Sequence, residues 1–263
     1  MLHSLRVLRA FLAVGVLNIV QYRSDFAIAV LNAAISLGAQ LLGLSVIFAN
    51  TADLRGWTAD GLLVLIGIHF FISGLVGVVV RPSMEALMEG IRLGTFDFVV
   101  TKPADAQLLA SVQRVAPQSI TDVALGLGVV LFGMTRSGLD VGPTEVALFL
   151  VTLLSGAVIV YGFLLLLSTL AFWLVRLDNI LVIFQSLFGS AGRWPVTIFP
   201  GWMRPILTFV VPIAFAVTVP AQALSGQLTA TNVLVSVGVA ALFLVASRLF
   251  WLVALRHYTG ASA

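Results

Sequence analysis

Residues 62–80 read LLVLIGIHFFISGLVGVVV, and residues 81–103 continue as RPSMEALMEGIRLGTFDFVVTKP. The first stretch runs 19 residues without a charge. A bilayer core about 30 Å thick takes about 20 apolar residues wound as a helix. The helical form is forced, because inside lipid only bonds within the segment satisfy its backbone. The second stretch carries Arg81, Glu85, Glu89, Arg92, Asp97 and Lys102, so a membrane surface separates the two. The whole chain agrees with this reading. Its 263 residues are 60% hydrophobic and 10% charged, where a soluble domain is about a quarter charged. The mean hydropathy is +1.12. Lipid is the solvent such a surface needs, and from the length one all-α membrane domain with no soluble domain attached is expected.

Working outward, six transmembrane helices are expected, at 26–48, 62–80, 116–134, 146–173, 179–191 and 233–255. Together they form a single transmembrane domain over 26–263. Residues 1–25 differ. Leu5, Leu8, Leu12 and Val16 recur at helical spacing with Arg6 and Arg9 to one side, which reads as an amphipathic helix lying in the interface. No small-residue cleavage site follows, so a signal peptide is not expected. Residues 194–226 hold Pro195, Pro200, Pro205, Pro212 and Pro220. Proline removes a backbone donor and clashes with the preceding turn, so broken re-entrant helices are expected there. Trp194 and Trp202 would sit near the interface. The competing reading is a kinked seventh span over 206–219.

Charge sets the orientation. With six spans, Arg6, Arg9, Arg23, Arg81, Arg92, Lys102, Arg114, Arg176, Arg248 and Arg256 share one side. Arg55, Arg136, Arg193 and Arg204 share the other. The basic excess marks the cytoplasmic face, which puts both termini inside. The pI near 10 comes from a net charge of only +3, spread singly. Without a basic cluster and interleaved aromatics, no nucleic-acid binding is expected. The absence of cysteine excludes disulfides, thiolate metal sites and a cysteine nucleophile.

In 81–103, Ser83 reads as the cap of a helix starting there, with Glu85 in its first turn. Glu89 and Arg92 stand at i, i+3, and Gly94 can end the helix in a left-handed conformation. The result is a short cytoplasmic amphipathic helix whose apolar face is not needed for spanning. Pattern alone leaves that face to a partner protein or to the lipid surface. Within the spans, polar residues are functional by default but have structural uses too. His69 reads as packed against a helix carbonyl rather than as a metal ligand, since a lone histidine is a poor site. Gln40 and Gln185 read as hydrogen bonds between helices. Asp122 suits the start of the third span, and no second carboxylate is placed to make it half of a proton relay. Ala34, Gly38, Ser45 and Ala49 give the first span a small-residue face.

No hydrolytic or metal-ligand spacing appears around His3, His69 and His257, which argues against an intramembrane enzyme. No cofactor is expected in the chain. A phosphate-binding loop needs G-x-x-x-x-G-K-[ST], and the single lysine, Lys102, lacks that glycine frame. An ion-driven secondary transporter remains the alternative function, and it would need midplane ion ligands and inverted repeats.

IRLGTFDFVVTKP (91–103) resembles the cytoplasmic loop of ABC-2 type permeases, in particular a bacterial branch of ABC transport-system permeases. FPGWMRPILTFVVPIAFAVTVPAQALSG (199–226) and AFWLVRLDN (171–179) are similar to the same branch. The resemblance implies the ABC-2 exporter fold in a bacterial inner membrane. Two permease halves, identical or similar, would pair face to face, with the path walled by the first, second and fifth spans. Those spans are apolar, which favours an amphiphilic or hydrophobic substrate such as a lipid, drug or peptide. Separate ATP-binding cassette ATPase subunits would bind ATP and magnesium. They would dock on a coupling loop over 81–103, through Glu85, Glu89, Arg92 and Asp97, with Arg6 and Arg9 nearby.

Overall fold

An apolar run that closes its own hydrogen bonds becomes a helix, and helices account for nearly all regular structure in residues 23–136, 142–174 and 179–258, which the computed structural model describes. The expected interfacial helix, with Arg6 and Arg9, lies outside them. Five of their helices are long and apolar enough to cross a membrane. The first, α1, covers Arg23–Phe48. The second, α2, covers Ala59–Leu75 and is capped by Thr58, whose hydroxyl accepts from Gly61 N–H. After it come α3 (Arg81–Arg92), α4 (Asp97–Val100), α5 (Ala106–Ser111) and α6 (Ile120–Arg136). Then follow α7 (Pro143–Thr169), α8 (Ile180–Ala191), α9 (Met203–Pro205), α10 (Val219–Leu224) and α11 (Ala230–His257). The protein is an all-α, multi-pass membrane protein.

The helix expected to start at Ser83 does not start there. A π turn over Val76–Val80 joins α2 to α3, and the helix runs unbroken from Ala59 to Arg92. Pro82 has no N–H for the carbonyl of Val78, which would strand that oxygen. The π turn shifts the bonding, with Arg81 N–H donating to Val76 O. Ala116 N–H then supplies the missing donor to Val78 O at 2.8 Å. Ser83 is buried and bonds outward instead: its hydroxyl donates to Arg114 O at 2.9 Å and accepts from Arg114 N–H at 3.2 Å. Gly94 ends the helical run as expected, with φ of +72°.

The α2 helix is apolar all round because it is surrounded. Leu62, Leu65, Ile68 and Ile72 are essentially inaccessible. Along one side it meets α6 backbone to backbone. A Cβ on Gly126 would lie 2.3 Å from Phe71 N, and one on Gly67 would lie 2.7 Å from Val130 N. Gly74 repeats this against Val123 N at 2.6 Å. Small residues permit that approach where no hydrophobic effect drives helices together. The α7 helix packs against α10 and α11.

The fifth expected span is the exception to the hydropathy reading. The α8 helix has 12 residues, or about 18 Å, less than a bilayer core. The proline-rich segment forms two arms, Met203–Val210 and Ala214–Leu224, bent by 79°. Both ends of the segment meet the loop between α1 and α2. Trp57 Nε1–H donates to Thr197 Oγ1 at 3.1 Å, and Gln227 donates to Gly56 O at 2.6 Å. The arms in between reach inward until Phe215 and Ala216 press on Gly156 of α7.

Candidate functional site

Two features stand out among the described residues. The first is the segment that follows α3. Gly94 turns the chain so that Phe96 N–H donates to Gly90 O at 3.0 Å. Phe96 is thereby buried edge-on among Phe172, Trp251 and Tyr258, at centroid distances of 5.4, 6.0 and 5.5 Å. Asp97 accepts the Tyr258 hydroxyl at 2.8 Å. Burial, then that hydrogen bond, pushes the Tyr258 phenol up to about 12. Farther along, Asp105 caps α5 and takes both Nη atoms of Arg248, at 3.1 and 2.6 Å. The guanidinium's hydrogen bond holds Asp105 below the usual carboxylate range. The segment is thus tied at two points to the last helix.

This geometry corrects the expectation for the amphipathic face. Met84, Leu87 and Met88 are buried, and α3 packs on α5 and α7. Neither a partner nor lipid covers that face. The exposed apolar side chains lie later, at Leu93, Phe98 and Val100, with Phe98 72% exposed. Of the residues implied for coupling, Glu85 pairs with Arg81 at 2.7 Å and Glu89 with Arg114 at 3.5 Å. Arg92 closes α3 at the surface.

The second feature is a cavity of about 420 Å³ walled by α1, α2, α8 and the start of α6. The first three are the spans that the resemblance assigns to the path. Gln40, His69, Asp122 and Gln185 all line it. So do Asn32, Ser36, Ser73 and Arg193, which the sequence reading had not singled out as site residues. The signal was present, because Asn32, Ser36 and Gln40 repeat at four-residue spacing, which stacks them on one helix face. Gln185, Gly189 and Arg193 repeat the same step. Averaged hydropathy hides such stripes, so the walls are more polar than apolar spans suggested.

Two expected roles change here. Among the described residues Gln40 makes no bond between helices: its amide donates to Ser36 O of its own helix at 3.4 Å, and Oε1 is buried without a partner. Among the described residues His69 bonds no carbonyl. Its ring stacks on Phe188 at 5.3 Å, and Nδ1 is buried without a partner there. Arg193 is exposed and follows Gly192, on which a Cβ would lie 2.9 Å from His69 Nδ1, and His69 is about 15 Å along α2 from its first residue. Among the described residues no group of three or more His, Asp or Glu side chains could hold a metal.

A family model described as ABC-2 family transporter protein matches residues 34–262. No curated protein and no solved structure matches the chain.

Proposed function

The chain belongs to the ABC-2 transporter family, and from that premise we propose that it is the membrane half of an exporter driven by a separate ATPase. Two halves pair so that their cavities face a shared path. An ATPase docks under each half, on the apolar side chains around Phe98. The observation that carries the reading is the fastening of that segment. Exposed Leu93, Phe98 and Val100 offer a contact, while Phe96, Asp97 and Asp105 bind the same segment to the ends of α7 and α11. A push on the surface therefore reaches the helices. The side chains at 85, 89 and 92 form a charged rim on the same contact, and rim charges steer association more than they hold it.

The test is co-purification of the ATPase, with substrate-stimulated ATP hydrolysis as the second readout. For Glu89→Arg the expected result is a normally inserted subunit with slower ATPase association and weaker stimulation. The change also loses the Arg114 pair, but exposed pairs contribute only about 0–1 kcal/mol. A lipid-facing role gives the opposite sign, because added positive charge tightens contact with anionic lipid. Unchanged association and stimulation would remove Glu89 from the interface.

Orientation has its own test, made simple by a chain without cysteine. The proposal places both termini and Glu89 in the cytoplasm and the α1–α2 loop outside. It also makes 194–226 re-entrant from outside, in keeping with both its ends meeting that loop. In intact cells, an impermeant maleimide should label Ala52→Cys and miss Glu89→Cys. The reverse pattern would invert the subunit.

A further inference from the structure

The charges around the cavity are unevenly matched. Near α3, Arg81 has Glu85 at 2.7 Å, and Asp122 lines the same end. Twelve residues up the helix, about 18 Å away, Arg193 stands beside His69 with no carboxylate paired to it among the described residues. An arginine stays charged at every physiological pH and offers five donors in a planar fork. Ionisable groups at membrane depth are costly and mark the route of a substrate or ion. Two further groups at this end lack partners: Gln40 Oε1 and Nδ1 of His69, a residue only 5% exposed. Arg193 is exposed and lines the cavity, and buried polar atoms ordinarily find partners, so the two unpaired atoms beside it are left for the cavity's contents to complete. The volume, about 420 Å³, falls in the range of small-molecule sites.

We propose that the deep end of the cavity binds an acidic group of the transported substrate, a carboxylate or a phosphate ester, with Arg193 as its countercharge. Gln40 and Gln185 donate or accept at the neutral atoms beside that group, and His69 fixes its depth. The inference rests on the permease reading and narrows it, since apolar walls alone favoured any amphiphile. Selectivity follows from the fork: two parallel N–H bonds suit carboxylate and phosphate oxygens, while an ammonium head meets like charge.

The experiment uses the full-length protein in a neutral maltoside detergent, without ATPase or ATP. It is titrated calorimetrically with dodecyl phosphate, with dodecyltrimethylammonium and with inorganic phosphate. Dodecyl phosphate should bind at least tenfold more tightly than the ammonium of equal chain length. Arg193→Gln should remove at least a factor of ten from that affinity, and Arg193→Lys should recover part of it. Competition by inorganic phosphate identifies a small soluble anion as the source of the acidic group. No competition identifies the head of an amphiphile, and either result keeps the acidic group. Equal affinity of the wild type for the two amphiphiles overturns the proposal, whatever becomes of the variants. An unchanged affinity in a monodisperse Arg193→Gln protein does so too. Because binding is read without the ATPase, failure here leaves ATP-driven transport standing. A failed co-purification would leave this binding intact.

Discussion

Aspartate in place of Phe98 will leave the subunit folded and inserted and will strip the ATPase from it. Phe98 is 72% exposed in the isolated subunit, so little packing among the described residues depends on its ring. Exposed substitutions away from special features stay within about 0.5 kcal/mol. At a protein interface the same side chain becomes an apolar anchor, and such anchors carry about 2–4 kcal/mol each. Association should therefore weaken roughly 30- to 700-fold. The measurement is the amount of ATPase retained per subunit in a pull-down, with thermal melting of the subunit as the control for folding. Full retention, with unchanged melting, would move the docking surface away from this segment. Asp97→Arg is a poorer probe, because Asp97 also holds Tyr258 at 2.8 Å. A loss there would not separate docking from the latch.

The second large effect lies at the seam between α2 and α6. Gly126→Ala should destabilise the subunit by about 3 kcal/mol, the upper part of the usual range for overpacking. Its new Cβ would stand 2.3 Å from Phe71 N, 2.6 Å from Gly67 O and 2.8 Å from Phe71 Cα. All three are backbone atoms, so no side chain can turn aside and the helices must separate. Gly128→Ala, on the same helix, supplies the contrast. Nothing lies within 4 Å of its added Cβ, and alanine should add up to about 1 kcal/mol of helix propensity. Melting curves of the two variants in detergent should shift in opposite directions. A Gly126→Ala protein as stable as wild type would mean that the seam is looser than these distances.

Much of the architecture was legible because lipid leaves few choices. An uncharged run such as 62–80 has to be a helix, and five prolines in 194–226 have to interrupt one. What escaped reading depended on bonds between residues far apart in the chain. Nothing local to Pro82 announces that Ala116 will satisfy Val78 O, so the helix appeared to begin at Ser83. The place of Arg193 was hidden in a similar way. It lies just beyond the end of α8, and only the closeness of Gly192 to His69 brings it to the cavity. Gln40, His69, Asp122 and Gln185 were visible one at a time. Their convergence required the relative rotation of four helices, which no single helix encodes. The exposure of Phe98 beside the burial of Phe96 turned on one glycine, since Gly94 sets which ring faces the aromatic cluster.

The unbroken run from Ala59 to Arg92 also has mechanical terms. It is gripped along one side, from Val64 to Gly74, where α6 presses on it. It reaches about 27 Å from Gly74 to Arg92 and about 12 Å from Gly67 back to Ala59, and both lengths are packed, with Ser83 bonded to Arg114 and Leu62, Leu65, Met84 and Leu87 buried. Packed along its length, the run moves as one rod, so a displacement at Arg92 is carried along it toward Ala59, less the bending at the π turn. The shorter length ends at Thr58, next to Trp57, whose indole is bonded to Thr197. A shift imposed at one end of the rod is thus passed to the indole at the other.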